Sequence, residues 1–310
     1  MKIVVTGGAG FIGSHVVDLF VAEGHEVIAL DDLSTGRREN VNPDARLVVM
    51  DVRDERVDEL FRSERPEVVD HHAAQMNVRI SVAEPRRDAD VNILGTLNLL
   101  EAAAAAGTRR FIFASTGGAI YGEQEYFPAD ECHPMHPVSP YAISKRTAEL
   151  YLDFFRRTRG TETVVLRYAN VYGPRQNALG EAGVVALFAS AMSQGRGPTI
   201  FGDGKQTRDF VYVGDVARTN VAALATPSGG LFNVGTGKET SVNELYRMIA
   251  DAVGFDGLPS YADAKEGDLL RSCLSPRRAE EVLGWRAEMA LEDGVARTVK
   301  ALTMEAGHDT

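Results

Sequence analysis

Thr6-Gly7-Gly8-Ala9-Gly10-Phe11-Ile12-Gly13 limits what this chain can fold into more than any other stretch. It follows a β-branched run, Lys2 to Val5, that reads as a buried strand. It opens an amphipathic helix expected over Phe11 to Glu23, with Gly24 just past its end. Glu26-Val27-Ile28-Ala29-Leu30-Asp31 then reads as a second strand ending in an acid. Strand, glycines, helix, strand and terminal acid at these distances are the layout of a dinucleotide-binding βαβ unit. Gly7, Gly10 and Gly13 permit the tight turn and the close approach of a pyrophosphate, which sits at the helix N-terminus. Asp31 would accept hydrogen bonds from the adenosine ribose hydroxyls. Its carboxylate would repel a 2′-phosphate, which favours NAD over NADP; Arg37 and Arg38 stand close in sequence and argue the other way.

The alternation continues. Strands are expected at Arg46–Met50, Glu67–His71, Arg110–Ala114 and Thr163–Arg167. Helices are expected at Asp54–Ser63, in a short piece at Val78–Glu84, from about Arg86 to Ala106, and from Pro140 to about Arg157. This pattern implies a Rossmann-type, doubly wound parallel sheet with helices on both faces. Ligands in such sheets bind beyond the carboxyl ends of the strands. After about residue 170 the loops lengthen and short strands mix with helices near 181–194, 215–225, 241–253 and 277–283. The expected division is therefore a dinucleotide-binding domain over 1–170 and a smaller mixed α/β substrate region over 171–310, partly interleaved with the first.

Composition narrows the partners. The 310 residues carry a formal charge of −11, which argues against nucleic acid or an anionic membrane surface. Two distant cysteines, Cys132 and Cys273, make no disulfide framework and fit a reducing cytoplasm. No run approaches the roughly 18 apolar residues of a membrane span, and the first residues lack a signal-peptide layout.

Ser139-Pro140-Tyr141-Ala142-Ile143-Ser144-Lys145 carries the candidate chemistry. Pro140 suits the first turn of a helix with Ser139 as its N-cap, so Tyr141 and Lys145 share one face. An ammonium beside a phenol favours the phenolate, whose ordinary pKa is about 10, and makes it a general base near neutral pH. Taken alone, Tyr-x-x-x-Lys is common and reads first as a solvated helix face with a half-buried ring. Ser115-Thr116-Gly117-Gly118 follows a strand and could place a hydroxyl beside Tyr141; taken alone, it reads first as a Ser/Thr turn ahead of a glycine hinge. His71 and His72 are adjacent on a strand, point to opposite faces and make poor joint metal ligands. Cys132-His133-Pro134-Met135-His136 lacks a second cluster to complete a zinc site. Arg175, Arg208 and Lys265 could converge on a nucleotide diphosphate, although surface ion pairing is the usual fate of such residues.

Taken together, these motifs resemble the extended short-chain dehydrogenase/reductase family and, within it, the nucleotide-sugar enzymes. The resemblance runs from the glycine motif to Leu283-Gly284-Trp285. It includes Asp31-Asp32-Leu33-Ser34-Thr35-Gly36, His72-Ala73-Ala74-Gln75, Val91-Asn92-Ile93-Leu94-Gly95-Thr96 and Tyr141 to Lys145. It continues through Leu166-Arg167-Tyr168-Ala169-Asn170 to Arg175 and Arg208-Asp209-Phe210.

The resemblance implies roles. Tyr141 would be the catalytic base and acid, Lys145 its partner and a ligand of the nicotinamide ribose, and Thr116 the assisting hydroxyl. Gly7, Gly10, Phe11, Ile12, Gly13, Asp31, Asp32, Ser34, Thr35, Gly36, Asp51, Val52, His72, Ala73, Ala74, Gln75, Asn92, Ser115 and Tyr168 would line the NAD site with Tyr141 and Lys145. Gly117, Gly118, Asn170, Arg208, Lys265, Asp268 and Ser272 would join Thr116 and Tyr141 around a UDP-sugar. Dehydratase and decarboxylase relatives carry acids after the catalytic threonine; Gly117 and Gly118 supply none, which points to epimerisation at C4 of a UDP-hexose through a 4-keto sugar. Lys265 stands where many relatives have an arginine. Ser272 stands at a sugar-contacting position that is bulky in some relatives, so N-acetylated hexoses are expected to fit. The other readings are an epimerase or reductase for another nucleotide sugar, and a catalytically silent NAD(H)-binding regulator. The family implies a homodimer through the long helices near 86–106 and 140–157.

Overall fold

A computed structural model describes residues 1–177, 183–226, 229–264 and 267–306. Lys265 lies outside the described residues. No described helix is long and apolar enough to cross a membrane.

The first half alternates as its pattern predicts. β1 (Lys2–Thr6), α1 (Phe11–Ala22), β2 (Glu26–Asp31) and β3 (Arg46–Val49) lead to α2 (Arg56–Glu64) and β4 (Val68–His71). Then come α3 (Val78–Ala83), α4 (Pro85–Ala89), a π-turn at Asp90–Leu94, α5 (Gly95–Ala106), β5 (Arg110–Thr116) and the short α6 (Gly117–Ile120). α7 (Pro140–Arg159) and β6 (Glu162–Tyr168) complete it. The strands form one parallel sheet in the order β11-β6-β5-β4-β1-β2-β3, where β11 is Gly230–Val234. The order reverses between β1 and β4, so the crevice for a ligand opens there.

The seventh strand therefore comes from far along the chain. α9 (Val213–Ala225) precedes it and packs against α1 on one face of the sheet, in a core with Val5, Phe20, Val216 and Phe232. α2, α5 and α7 cover the other face around Phe61, Leu99, Phe113 and Leu152. The remaining chain builds a smaller lobe. It contains β7 (Asn170–Tyr172), α8 (Val184–Ser193), β8 (Thr199–Phe201), β9 (Thr207–Arg208) and β10 (Phe210–Tyr212). It continues with β12 (Thr240–Ser241), α10 (Val242–Val253), β13 (Ser260–Ala262), β14 (Arg271–Ser272), α11 (Arg277–Leu283) and α12 (Leu291–Ala306). Its core of Phe188, Leu245, Ile249 and Val295 lies between α8, α10 and α12.

Three expectations need correction. The helix expected over 86–106 is interrupted by the π-turn, which absorbs an extra residue and turns the Asn92 side chain toward Gln75 and Asp88. Gly95 resumes the helix where a Cβ would fall 2.8 Å from Val52 Cγ2. β5 runs on to Thr116, because Ser115 and Thr116 continue the register against Arg167 and Tyr168 of β6. Finally, α2 starts at Arg56: Asp54 accepts the Arg56 N–H at 2.9 Å in a local turn, and the N-cap, Glu55, makes no side-chain cap.

Candidate active site

The glycine loop joins β1 to α1 without spare room. Gly7 has φ +66, and a Cβ there would lie 2.7 Å from Ala73 N; a Cβ on Gly13 would lie 2.1 Å from Gly7 O. Gly10 is the N-cap of α1, and no side chain caps the first turn that Phe11 and Ile12 begin. An uncapped helix start beneath a backbone this bare suits a pyrophosphate. Asp31, at the end of β2, accepts Ala9 N at 3.0 Å and Leu33 N at 2.8 Å. Burial pushes its carboxyl up, while those two amides pull against the shift. The loop after it folds back: Asp32 accepts from both Ser34 N and Oγ, Thr35 is exposed, and a Cβ on Gly36 would lie 2.7 Å from Asp31 Oδ1. Asp51 follows β3 and is held below the usual carboxylate range by Arg53, with Val52 buried beside it.

A hydrogen-bonded line runs beneath the crevice. Ala73 N donates to Thr6 Oγ1 at 3.1 Å, and Thr6 Oγ1 meets His71 Nδ1 at 2.7 Å. His71 Nε2 meets Thr96 Oγ1 at 3.0 Å, and Thr96 donates to Asn92 O at 2.7 Å. Burial holds His71 far below its ordinary pKa, so it is neutral and can donate from Nε2 while Nδ1 accepts. Asn92 then exchanges two hydrogen bonds with the backbone of Gln75. Ala74 sits between these anchored residues. His72 turns the other way; its Nε2 lies 2.9 Å from Asp70 Oδ1, and its ring stacks on Tyr168, whose hydroxyl pairs with Asn220. His71 and His72 do face opposite sides, and among the described residues no histidine, cysteine and carboxylate group could hold a metal ion.

α7 begins as its residues predict: Pro140 is the first helical residue and Ser139 Oγ accepts Ala142 N at 3.2 Å. Tyr141 is half-buried, and Lys145 lies one turn on, 3% exposed. Lys145 Nζ donates to Ala114 O at 2.9 Å and sits 4.7 Å from the centre of the Phe113 ring. Burial pushes its pKa down to about 8, against the pull of Asp88 and Glu149. Thr116 ends β5, half-buried, two residues beyond that carbonyl. Ser115 points away, donating to Glu149 Oε1 at 2.7 Å.

Sequence reasoning passed over this Glu149. It accepts two bonds from the buried Arg167, at 2.8 and 2.7 Å, and one from Arg146. Burial alone would raise its carboxyl; Arg167 and Ser115 hold it below the ordinary value instead. Arg167 also donates to Tyr121 OH, which donates to Asn233 in β11. Glu149 stands four residues after Lys145, the spacing that could have marked it.

The small lobe brings Asn170, Gly118 and Ser272 together. A Cβ on Gly118 would lie 3.7 Å from Asn170 Oδ1 and 3.8 Å from Ser272 Oγ, ordinary contacts with room to spare. A Cβ on Gly117 would lie 2.4 Å from Leu274 Cδ1. Ser272 pairs in register with Arg208, whose guanidinium donates to Asp268 at 2.7 Å. Asp209 accepts from Thr236, Gly237 and Leu274 and so locks this corner to the end of β11. Arg175 does not join Arg208; it reaches Ser14 and Asp18 of α1.

A dinucleotide cradle, a half-buried Tyr141 and a buried Lys145 stand beside residues of a second lobe, the layout of a dehydrogenase-like enzyme. The model of the NAD dependent epimerase/dehydratase family matches residues 3–235. The chain is 50% identical over 297 residues to a putative UDP-glucose 4-epimerase of Methanocaldococcus jannaschii, covering 96% of this chain and 97% of that one. A Thermotoga maritima UDP-glucose 4-epimerase solved with UDP-glucose superposes with a TM-score of 0.97 at 48% identity, over 99% of this chain and 100% of its own. A Thermus thermophilus UDP-glucose 4-epimerase in complex with NAD gives 0.92 at 46% identity, over 98% and 99%. This chain belongs to the NAD dependent epimerase/dehydratase family. NAD is its cofactor, and the cradle around Gly7, Gly13 and Asp31 suits the group.

Proposed function

We propose that the chain interconverts UDP-glucose and UDP-galactose at C4, using NAD that it keeps bound through turnover. The observation that carries this reading is the end of β5. Thr116 and the Tyr141–Lys145 turn supply proton handling, while the next two positions, Gly117 and Gly118, offer no acid for an elimination. The 48–50% identities to UDP-glucose 4-epimerases over nearly the whole chain support it.

NAD, when bound, supplies reversible hydride acceptance. Tyr141 takes the proton of the C4 hydroxyl and later returns it. Lys145 holds the phenolate electrostatically and orients the nicotinamide ribose; Thr116 shares the proton path. Gly7 to Gly13 hold the pyrophosphate, Asp31 the adenosine ribose, and Asp51 with Val52 the adenine. Asn170, Arg208 and Asp268 hold the UDP moiety, and Ser272 and Gly118 face the sugar. The 4-keto sugar would turn over between these residues, and the hydride that NAD would have accepted from C4 would return to its other face.

A homodimer is part of the same reading. Ile143, Leu150, Tyr151 and Phe154 stand exposed on one side of α7, an apolar stripe suited to a second copy. A cytoplasmic setting fits two cysteines that form no disulfide. The division after residue 170, interleaved through β11, completes it. The test is conversion of UDP-galactose by purified protein without added NAD, read by a coupled assay for UDP-glucose. Turnover that falls by orders of magnitude in Tyr141→Phe supports the reading; unchanged turnover in that variant overturns it.

A further inference from the structure

Asp88 is wholly buried at the end of the short α4, yet it meets no arginine or lysine within ion-pair distance among the described residues. Its oxygens are instead shared among three elements. Oδ2 accepts from Ser144 Oγ at 2.6 Å, in α7. Oδ1 accepts from Asn92 Nδ2 at 3.0 Å, in the π-turn, and from Gln75 Nε2 at 3.0 Å, in the loop after β4. All three donors are neutral, and Ser144 is the residue before Lys145. A buried carboxylate served only by neutral donors is costly to keep, so its charge has a use nearby.

The use is Lys145. Its surroundings, taken element by element, are Tyr141 and Glu149 on its own helix, the Phe113 ring and Ala114 carbonyl of β5, neutral His71 of β4, and Asp88. Glu149 is already matched by Arg167, with which it makes two hydrogen bonds. Of the two carboxylates that act on Lys145, Asp88 is the one that no cation contacts among the described residues. We infer that Asp88 is a positioning residue for the proposed reaction: it fixes α7, the π-turn and the Gln75 loop as one unit, and its charge keeps the Lys145 ammonium in place. This rests on the reading of Tyr141 and Lys145 given above.

Charge and hydrogen bonding can be separated. Asp88→Asn keeps the shape and an acceptor for Gln75 and Asn92 but removes the charge. Losing a negative charge disfavours the ammonium and favours the phenolate. Both limbs of the pH–rate profile should then move toward acid, by about one unit. Ser144→Ala removes one hydrogen bond and leaves the charge, so its rate should fall evenly across pH with both limbs in place. The experiment is kcat against pH for the holoenzyme and these variants, with Tyr141→Phe alongside. Limbs that stay fixed in Asp88→Asn, or that move equally in Ser144→Ala, overturn the inference. Activity retained in Tyr141→Phe overturns the underlying reading instead. If the asparagine variant does not fold, Asp88→Ser removes the charge in the same way and carries the same expectation.

Discussion

Lys145 donates from Nζ to the carbonyl oxygen of Ala114, two residues before Thr116 on the same strand. One hydrogen bond therefore sets the distance between the helix that carries Tyr141 and the strand that carries Thr116. The ammonium is buried to do this, and burial brings its pKa from 10.5 to about 8. Below about pH 8 both folded and unfolded chains hold the proton. Between about 8 and 10.5 only the unfolded chain holds it, so folding gains stability as pH rises through that window. The cost at neutral pH is about 3 kcal/mol at most, from roughly 1.4 kcal/mol per pKa unit.

Lys145→Met should therefore abolish turnover and yet raise stability at pH 7. The gain over wild type should shrink as pH rises from about 8 and vanish near 10.5. Urea denaturation of both proteins at matched cofactor occupancy measures it. A difference that does not change with pH would contradict the burial argument.

Glu149 fastens the same helix from below. Glu149→Gln leaves Arg167, 1% exposed, without its charged partner, which should cost about 3–5 kcal/mol. Because the folded carboxyl lies below its ordinary 4.5, the stabilisation is complete above that value and is lost as pH falls below it. The wild-type advantage in urea midpoint should accordingly narrow in acid. An equal midpoint for the two proteins at pH 7 would show the pair to be dispensable.

The first lobe was legible because each of its signals is local. The glycines, the acid ending β2 and the Ser139-Pro140 start of α7 all state their structure within a few residues. The π-turn inside the helix over 86–106 was not. It depends on Asn92 reaching Gln75 and on Gly95 meeting Val52, contacts that no window of sequence contains. β11 was missed as part of the main sheet for the same reason, since Gly230 to Val234 must travel back beside β6. Asp88 and Glu149 carry no signal of their own in the sequence, because the pattern does not show which face a later strand will cover.

Gly117 and Gly118 look alike in sequence and differ in space. A Cβ at 117 runs into Leu274, which belongs to a buried cluster with Tyr121 and Ala129; one at 118 meets only Asn170 Oδ1 and Ser272 Oγ, at 3.7 and 3.8 Å. Gly117→Ala should cost about 1–3 kcal/mol through overpacking. Gly118→Ala should leave the melting temperature within about a degree and act on KM for the sugar nucleotide instead. Thermal melts and steady-state kinetics on the two variants decide this, and equal melting losses would mean that position 118 is closed as well.

Ser272 closes the pocket opposite Gly118. Its backbone is fixed by its parallel register with Arg208, in which Asp209 N donates to Ser272 O at 2.9 Å, so only its side chain can vary the space. The hydroxyl lies 3.8 Å from where a Gly118 Cβ would stand, beside Asn170. A serine side chain is smaller than a tyrosine's by the whole phenol, and it ends beside Gly118 and Asn170. UDP-N-acetylglucosamine, bulkier by an acetamido group, should therefore be a substrate of the wild-type protein. Ser272→Tyr should remove that activity while UDP-galactose turnover stays within a few-fold. A hydrophobic or steric pocket change of this kind discriminates by about 1–3 kcal/mol, or 10–200-fold in kcat/KM. Parallel assays of both sugar nucleotides measure the ratio. Equal losses on the two would mean that residue 272 disturbs the fold of the corner and does not select the sugar.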